Sequence, residues 1–165
     1  MTKSSQHIPS GFHTITPSLT FRNAAEAMDF YKKALGAEER MRMAGPDGRI
    51  THAELRIGDS IIFMNDEIPG MSCKSAETLG GSATAFYLYV EDVDSAFQRA
   101  LDAGGKQTCP VTDMFWGDRM GNFSDPFGIS WTLSTHTQDF TPEEMEEGAK
   151  RFHAQMATQA QKKSA

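Results

Sequence analysis

The chain has 165 residues and a formal net charge of −6, a size that suits one domain or two small modules sharing a core. The acidic balance argues against nucleic acid as a partner, because phosphate binding needs a basic face. No run of 18 apolar residues and no apolar signal-peptide core is visible, so we expect neither membrane insertion nor export. Cys73 and Cys109 lie far apart without metal-ligand spacing, which favours reduced thiols and a cytoplasmic location.

The first part of the chain follows the order βαβββ. Residues 1–12 are polar and are predicted to form a flexible tail, and residues 13–21 then alternate as a strand. Asn23 is a suitable N-cap for a helix whose apolar residues recur at helical spacing until Gly36 ends it. Three further strands are predicted at 39–43, 49–57 and 60–64. We therefore assign residues 13–66 to a first βαβββ module.

The same order returns after residues 67–83, which are rich in Gly, Ser and charge and are predicted to form a linker loop over the pocket. Residues 84–136 are assigned to a second βαβββ module with a helix capped by Asp92. Landmarks of matching type recur at offsets of 68 to 70 positions: Leu19 and Leu88, Asn23 and Asp92, Gly36 and Gly104, Gly58 and Gly128. This near-constant offset indicates an internal repeat.

The last two strands are joined by the turn Asp125-Pro-Phe-Gly128. Pro126 presets φ near −65° and Gly128 tolerates positive φ, while Asp125 can bind the backbone just beyond it. Residues 137–165 are predicted to form a C-terminal helix and tail. The helix begins at a capping box made by Thr141 and Glu144.

Four segments together resemble the vicinal oxygen chelate superfamily, which holds glyoxalase I, extradiol dioxygenases and bleomycin-resistance proteins, and most closely its PhnB-like branch. The segments are Phe30-Tyr-Lys-Lys-Ala-Leu-Gly-Ala-Glu38, His52-Ala-Glu-Leu-Arg-Ile-Gly-Asp59, Trp116-Gly-Asp-Arg119 and Asp125-Pro-Phe-Gly128. The resemblance implies an α+β fold in which two tandem βαβββ modules form a curled mixed-sheet cup, followed by the C-terminal helix. It also implies a homodimer.

Metal-using members of that superfamily place His, Glu or Gln ligands at four positions of the cup. Here those positions align to Thr16, Ile62, Ala85 and Thr132. A divalent ion needs imidazole or carboxylate donors converging from several strands. We therefore predict no metal site and no cofactor, and a divalent metal is kept as an alternative.

Strand alternation assigns a helix-facing set and a cup-facing set of side chains. The helix-facing set is Leu19, Leu55, Phe63, Leu88, Trp131 and Leu133. The cup-facing set is Thr16, Ser18, Thr20, His52, Glu54, Arg56, Ile62, Met64, Ala85, Tyr87, Tyr89, Thr132 and Ser134. A polar face with aromatic rings suits a small organic molecule better than a dry core.

His52 and Glu54 are two residues apart on one strand and so share a face. They are the candidates for any catalytic pair, although Glu54 could equally form an ion pair with Arg56. A metal bound to them would need a third ligand from His13 or His136.

Other predicted ligand contacts come from both strands and loops. Tyr87 and Tyr89 could stack on a planar ligand. Trp116 and Arg119 frame a loop at the mouth of the cup, where Arg119 could bind a carboxylate or phosphate, or hold Asp118 or Asp125. The predicted ligand-binding residues are Thr16, Ser18, His52, Glu54, Tyr87, Tyr89, Trp116, Arg119 and Thr132.

These observations favour a metal-independent protein that binds a small molecule. The alternatives are a lyase, isomerase or dioxygenase of the superfamily with relocated metal ligands, and a resistance protein that sequesters an antibiotic.

Overall fold

The computed structural model describes residues 5–163, which fold as two successive βαβββ modules and a C-terminal helix. The first module contains β1 (Ser18–Phe21), α1 (Ala24–Leu35), β2 (Glu38–Ala44), β3 (Ile50–Ile57) and β4 (Ser60–Asp66). After the short α2 (Ala76–Leu79), the second contains β5 (Ala85–Tyr89), α3 (Val93–Asp102), β6 (Lys106–Asp113), β7 (Asp118–Ser124) and β8 (Ser130–His136). The chain continues into α4 (Pro142–Lys163). Residues 1–4 of the predicted tail and residues 164–165 lie outside the described range.

Each module forms a four-stranded mixed sheet in residues 5–163, with strand orders β1-β4-β3-β2 and β5-β8-β7-β6. In both sheets the first strand runs parallel to the last and the other pairs are antiparallel. This topology confirms the predicted α+β fold of tandem modules with mixed sheets.

Equivalent caps bound the two long helices of the modules. Asn23 Oδ1 accepts from the Glu26 amide at 3.2 Å before α1, and Asp92 Oδ1 accepts from the Ser95 amide at 3.3 Å before α3. Gly36 follows α1 with a φ of 66°, a conformation that costs glycine little. The landmarks predicted from the repeat therefore occupy equivalent places in the fold.

The two modules share one hydrophobic core, because α1 packs against α3 as well as against its own sheet. The Tyr31 ring of α1 lies 5.3 Å from the Trp131 ring of β8, centroid to centroid, and Tyr31 is fully buried. Phe127 packs edge-on against the ring of Phe21 at 5.6 Å. Aromatic side chains from both modules thus interlock.

Asp125 joins the β7–β8 turn to the first module. Its Oδ1 accepts hydrogen bonds from the amides of Phe127 and Ile129 at 3.0 and 2.8 Å. Its Oδ2 accepts from the Tyr31 hydroxyl at 2.6 Å and from Trp131 Nε1 at 3.0 Å. The predicted bond of Asp125 to its own backbone is confirmed, and its bond to α1 also ties the modules together.

The first strand is shorter than predicted. β1 begins at Ser18, and its parallel ladder begins where Ser18 lies opposite Phe63. Pro17 has no amide hydrogen to donate to a ladder, and its carbonyl accepts from the Phe63 amide at 2.8 Å. Residues 13–17, including the predicted site residue Thr16, therefore precede the strand.

The predicted orientation of β4 is reversed. Ile62 and Met64 are buried under the helices, since they lie opposite Leu55 and Ala53 of β3. Ile61 and Phe63 consequently face the other side of the sheet. The assignment of Ile62 and Met64 to the cup, and of Phe63 to the helices, is wrong for this strand.

α4 begins as predicted at the capping box. Thr141 Oγ1 accepts from the Glu144 amide at 3.2 Å, and Glu144 Oε2 accepts from the Thr141 amide at 2.8 Å. The helix contacts the second module where Phe152 packs against Phe115, with ring centroids 5.6 Å apart. Most of its other described side chains are exposed.

Candidate functional site

Each sheet has an outer face, which we define as the face opposite its helix. Pairing across the strands places Ser18, His52 and Glu54 on the outer face of the first sheet. It places Tyr87, Tyr89 and Thr132 on the outer face of the second. The structure therefore divides most of the predicted ligand-binding residues between two surfaces.

The outer face of the second sheet carries a hydrogen-bonded cluster centred on a buried carboxylate. Asp118 Oδ2 accepts from the hydroxyls of Tyr87 at 2.8 Å and Tyr89 at 3.2 Å. Asp118 Oδ1 lies 2.8 Å from Nδ1 of His136. Strand register explains why Asp118 and His136 are in contact, because Asp118 lies opposite His136 in the β7–β8 pair. We call Asp118, Tyr87, Tyr89 and His136 the Asp118 cluster.

The side chains of the Asp118 cluster shift one another's pKa values. Burial alone would raise the pKa of Asp118, but hydrogen bonds from His136, Tyr87 and Tyr89 outweigh it and hold that pKa below its usual range. The bond to Asp118, with a second to Asp139, raises the pKa of His136. Burial and the neighbouring Asp118 raise the pKa values of both tyrosines. These shifts favour the charged forms of Asp118 and His136 and the neutral forms of both tyrosines.

His136 is held at both ring nitrogens. Nδ1 lies 2.8 Å from Asp118, and Nε2 lies 3.0 Å from Asp139 Oδ1. Only the imidazolium form can donate from both nitrogens at once. In that form His136 has no free lone pair with which to accept a proton.

His52 and Glu54 lie side by side on the first sheet, as predicted. His52 Nε2 is 3.6 Å from Glu54 Oε1, and Arg40 Nη1 is 3.5 Å from Glu54 Oε2. The ion-pair partner of Glu54 is therefore Arg40, while Arg56 pairs with Glu38. The His52 ring packs edge-on against Phe63, with centroids 4.8 Å apart.

Trp116 and Arg119, which were predicted to frame one loop at the mouth of the cup, have side chains in different surroundings. Trp116 lies beside Asp118 and helps to lower the pKa of that carboxyl, so it adjoins the cluster. Arg119 lies on the helix side of the sheet, where Nε donates to Asp94 at 2.7 Å and Nη1 donates to Asp113 at 3.0 Å. Its partners are thus not Asp118 or Asp125, and a ligand contact for Arg119 stays a prediction.

A cavity of about 290 Å³ lies between the modules and adjoins the Asp118 cluster at Tyr87. Its lining is mostly apolar. The lining residues are His13, Ile15, Pro17, Ile57, Ser60, Ile61, Ile62, Phe86, Tyr87, Leu88 and Trp131. A cavity of this size and lining suits a small organic molecule.

Comparison with known proteins identifies the family. A family model described as the glyoxalase/bleomycin resistance protein/dioxygenase superfamily matches residues 11–133. The chain belongs to this superfamily. An uncharacterised protein of Mycobacterium bovis is 41% identical over 135 residues, covering 80% of this chain and 89% of the relative.

Solved structures show the same fold. TioX from Micromonospora sp. ML1 aligns with a TM-score of 0.59 and 26% identity, over 75% of this chain and 98% of TioX. The PhnB protein of Bacillus cereus aligns with a TM-score of 0.58 and 21% identity, over 74% of this chain and 99% of that chain. The predicted resemblance to the superfamily is confirmed.

The positions that hold metal in other members of the superfamily do not fit a metal here. Thr16 precedes β1 and Ile62 faces the helices, while Ala85 has no donor atom. Thr132 accepts a hydrogen bond from Asn122 at 3.0 Å. Within residues 5–163, no group of three or more His, Cys, Asp or Glu side chains could hold a metal ion.

Sequence reasoning missed Asp118 as the centre of a site. The alternation of β5 correctly paired Tyr87 with Tyr89, but Asp118 and His136 lie 31 and 49 positions beyond Tyr87. The signal that could have joined them is the hairpin centred on residues 125–128, since it sets Asp118 opposite His136.

Proposed function

We propose that this superfamily member is a metal-independent protein that binds a polar aromatic or amphipathic small molecule. The observation that carries the proposal is the position of Tyr87. Tyr87 is one of the residues that line the apolar cavity, and its hydroxyl donates to Asp118. An apolar group in the cavity would therefore lie beside a surface that offers hydrogen bonds and exposed aromatic rings.

The chemistry of the cluster supports binding more than acid–base catalysis. A general base must be able to accept a proton near neutral pH. Both tyrosines have raised pKa values, so their phenolate forms are disfavoured, and His136 lies between two carboxylates that favour its protonated form. Tyr87 is 47% exposed and Tyr89 is 62% exposed, so their rings remain available for stacking.

We further propose a cytoplasmic homodimer. Cys73 and Cys109 are exposed and unpaired, which suits a reducing compartment. No helix in residues 5–163 is long and apolar enough to cross a membrane. Within residues 5–163, the outer strands β2 and β6 each pair with a neighbouring strand on one side only, and pairing with a second copy would protect the other side.

The cavity can be tested with prodan, a neutral naphthalene dye whose emission shifts to the blue in apolar surroundings. We expect saturable binding to the wild-type protein and a roughly fivefold weaker Kd for Tyr87→Ala, since an aromatic contact contributes about 1 kcal/mol. Phe115→Ala is the matched control, because it also removes an aromatic ring, but one that packs against Phe152 of α4 and does not line the cavity. Its Kd should stay within about twofold of wild type, and circular dichroism should show both variants folded.

Equal Kd values for wild type and Tyr87→Ala would contradict the proposed site. Metal independence is tested separately by elemental analysis of the purified protein. A stoichiometric divalent ion that is lost in His52→Ala would overturn the proposal and favour a metal-dependent enzyme. Saturable binding of bleomycin, a cationic glycopeptide, would favour the sequestration alternative.

A further inference from the structure

The cavity beside Tyr87 has walls of two kinds. Some of its walls are formed by the sheets, that is, by Ile57 and Ile61 of the β3–β4 hairpin and by strands β5 and β8. The remaining wall is formed by the segment before β1, which contributes His13, Ile15 and Pro17. We call residues 9–17 the N-terminal strap.

The strap is attached at its two ends. At the β1 end, the Pro17 carbonyl accepts from the Phe63 amide at 2.8 Å. At the other end, the ring of Phe12 packs against the ring of Phe63 with centroids 5.7 Å apart, and the guanidinium of Arg40 lies 5.3 Å from the centre of the Phe12 ring. Gly11, with a φ of 82°, turns the chain into this position, and the Phe12 amide donates to Pro9 at 3.1 Å.

The middle of the strap is weakly held. Among the hydrogen bonds of the described residues, none ties the backbone of residues 13–16 to either module. Ile15 is 81% exposed although it borders the cavity. Segments with few buried contacts and few backbone hydrogen bonds open at low free energy. Beyond the Pro17 end, this wall of the cavity is therefore held mainly by the Phe12 contact.

We infer that the N-terminal strap is a lid over the cavity and that Phe12 is its latch. The inference rests on the proposed function, because it assigns a moving wall to the proposed binding site. When Phe12 leaves Phe63 and Arg40, the strap can swing away about the Pro17 attachment. A ligand would then enter between the strap and β5.

A latch differs from a fixed wall in its effect on rates. Stopped-flow mixing of the full chain with prodan measures both association and dissociation. Phe12→Ala should raise both rate constants about tenfold and leave Kd within about twofold, since a stacking contact together with a cation–π contact contributes roughly a factor of ten. Arg40→Gln should shift both rates in the same direction by a smaller factor.

Phe115→Ala is the matched control. Like Phe12→Ala it removes a partly buried phenylalanine ring, but this ring packs against Phe152 of α4. Its prodan rates should equal those of wild type. Unchanged prodan rate constants in Phe12→Ala, or a faster dissociation with an unchanged association rate, would contradict the proposal that the strap is a lid. Absence of prodan binding in the wild type would instead overturn the proposed function, so the two failures are distinguishable.

Discussion

At the scale of single residues, Asp125 is the side chain with the widest structural role. It is buried, and its partners include the Phe127 and Ile129 amides of its own turn and Tyr31 of the other module. A buried carboxylate that loses a donor is left partly unsatisfied, which costs more than the loss of an exposed hydrogen bond.

Tyr31→Phe removes one donor from Asp125 while keeping the ring. We expect a loss of about 1–3 kcal/mol in the free energy of unfolding, measured by urea denaturation. Ser60→Ala is the control, since its hydroxyl also donates to a carboxylate, but to that of Asp59, which is exposed. It should cost under about 0.5 kcal/mol. Equal losses in the two variants would contradict the role given to Asp125.

The Asp118–His136 pair gives a dependence of stability on pH. The pKa of His136 is raised, so its contribution is complete below about pH 6.5, the usual unfolded value, and is lost as pH rises through the folded pKa. The pKa of Asp118 is lowered, so its contribution is complete above about pH 4 and is lost as pH falls through the folded pKa. The pair should stabilise most between these two limits.

We expect His136→Gln to lower Tm most between roughly pH 4 and 6.5, and progressively less as the pH rises beyond that window. The measurement is Tm from pH 4 to 9 for both proteins, at constant ionic strength. His153→Gln, on α4, is the control and should leave the Tm profile unchanged. If the Tm difference between wild type and His136→Gln stays constant from pH 5 to 9, a charged His136 is excluded.

At the scale of elements, α4 depends on its own cap. Thr141→Ala removes one half of the capping box and should weaken the first turn by about 1 kcal/mol. Because α4 meets the second module around Phe115, the main unfolding midpoint should change little. Faster amide exchange in residues 142–147, with unchanged midpoint, would bear this out.

Thr158→Ala is the control for α4, since its hydroxyl donates to the Ala154 carbonyl within the same helix rather than capping it. It should leave exchange at residues 142–147 unchanged. A fall in the global midpoint for Thr141→Ala would mean that α4 is integral to the core.

The helices and turns were predictable because their signals are local. Asn23, Asp92 and Gly36 each act within a few residues of their position. β4 was misassigned because residues 61–64 are all apolar, so alternation alone cannot orient them. Only the pairing with Ala53 and Leu55 decides which side is buried.

At the scale of the whole molecule, the candidate site was only partly predictable. His52 with Glu54, and Tyr87 with Tyr89, follow from spacing along one strand. The Asp118 cluster draws on three strands, and its members meet only when the register of β5, β8 and β7 is known. The contact of Phe12 with Phe63 joins a segment without regular structure to a strand, which no periodicity indicates.

The repeat that shapes the fold does not extend to the chemistry of its surfaces. The outer face of the first sheet is covered at Phe63 by the chain's own Phe12, whereas the equivalent face of the second sheet presents the exposed rings of Tyr87 and Tyr89. Similar backbones therefore carry different surfaces, and the cavity lies where the two modules meet.

The bond between Tyr31 and Asp125 has a consequence for how the chain folds. Its ends are 94 positions apart, one in each module. The turn of the second module therefore attains its full set of hydrogen bonds only after α1 of the first has docked. Neither copy of the motif fully satisfies this buried carboxylate on its own, so we expect the duplicated chain to unfold in a single cooperative transition.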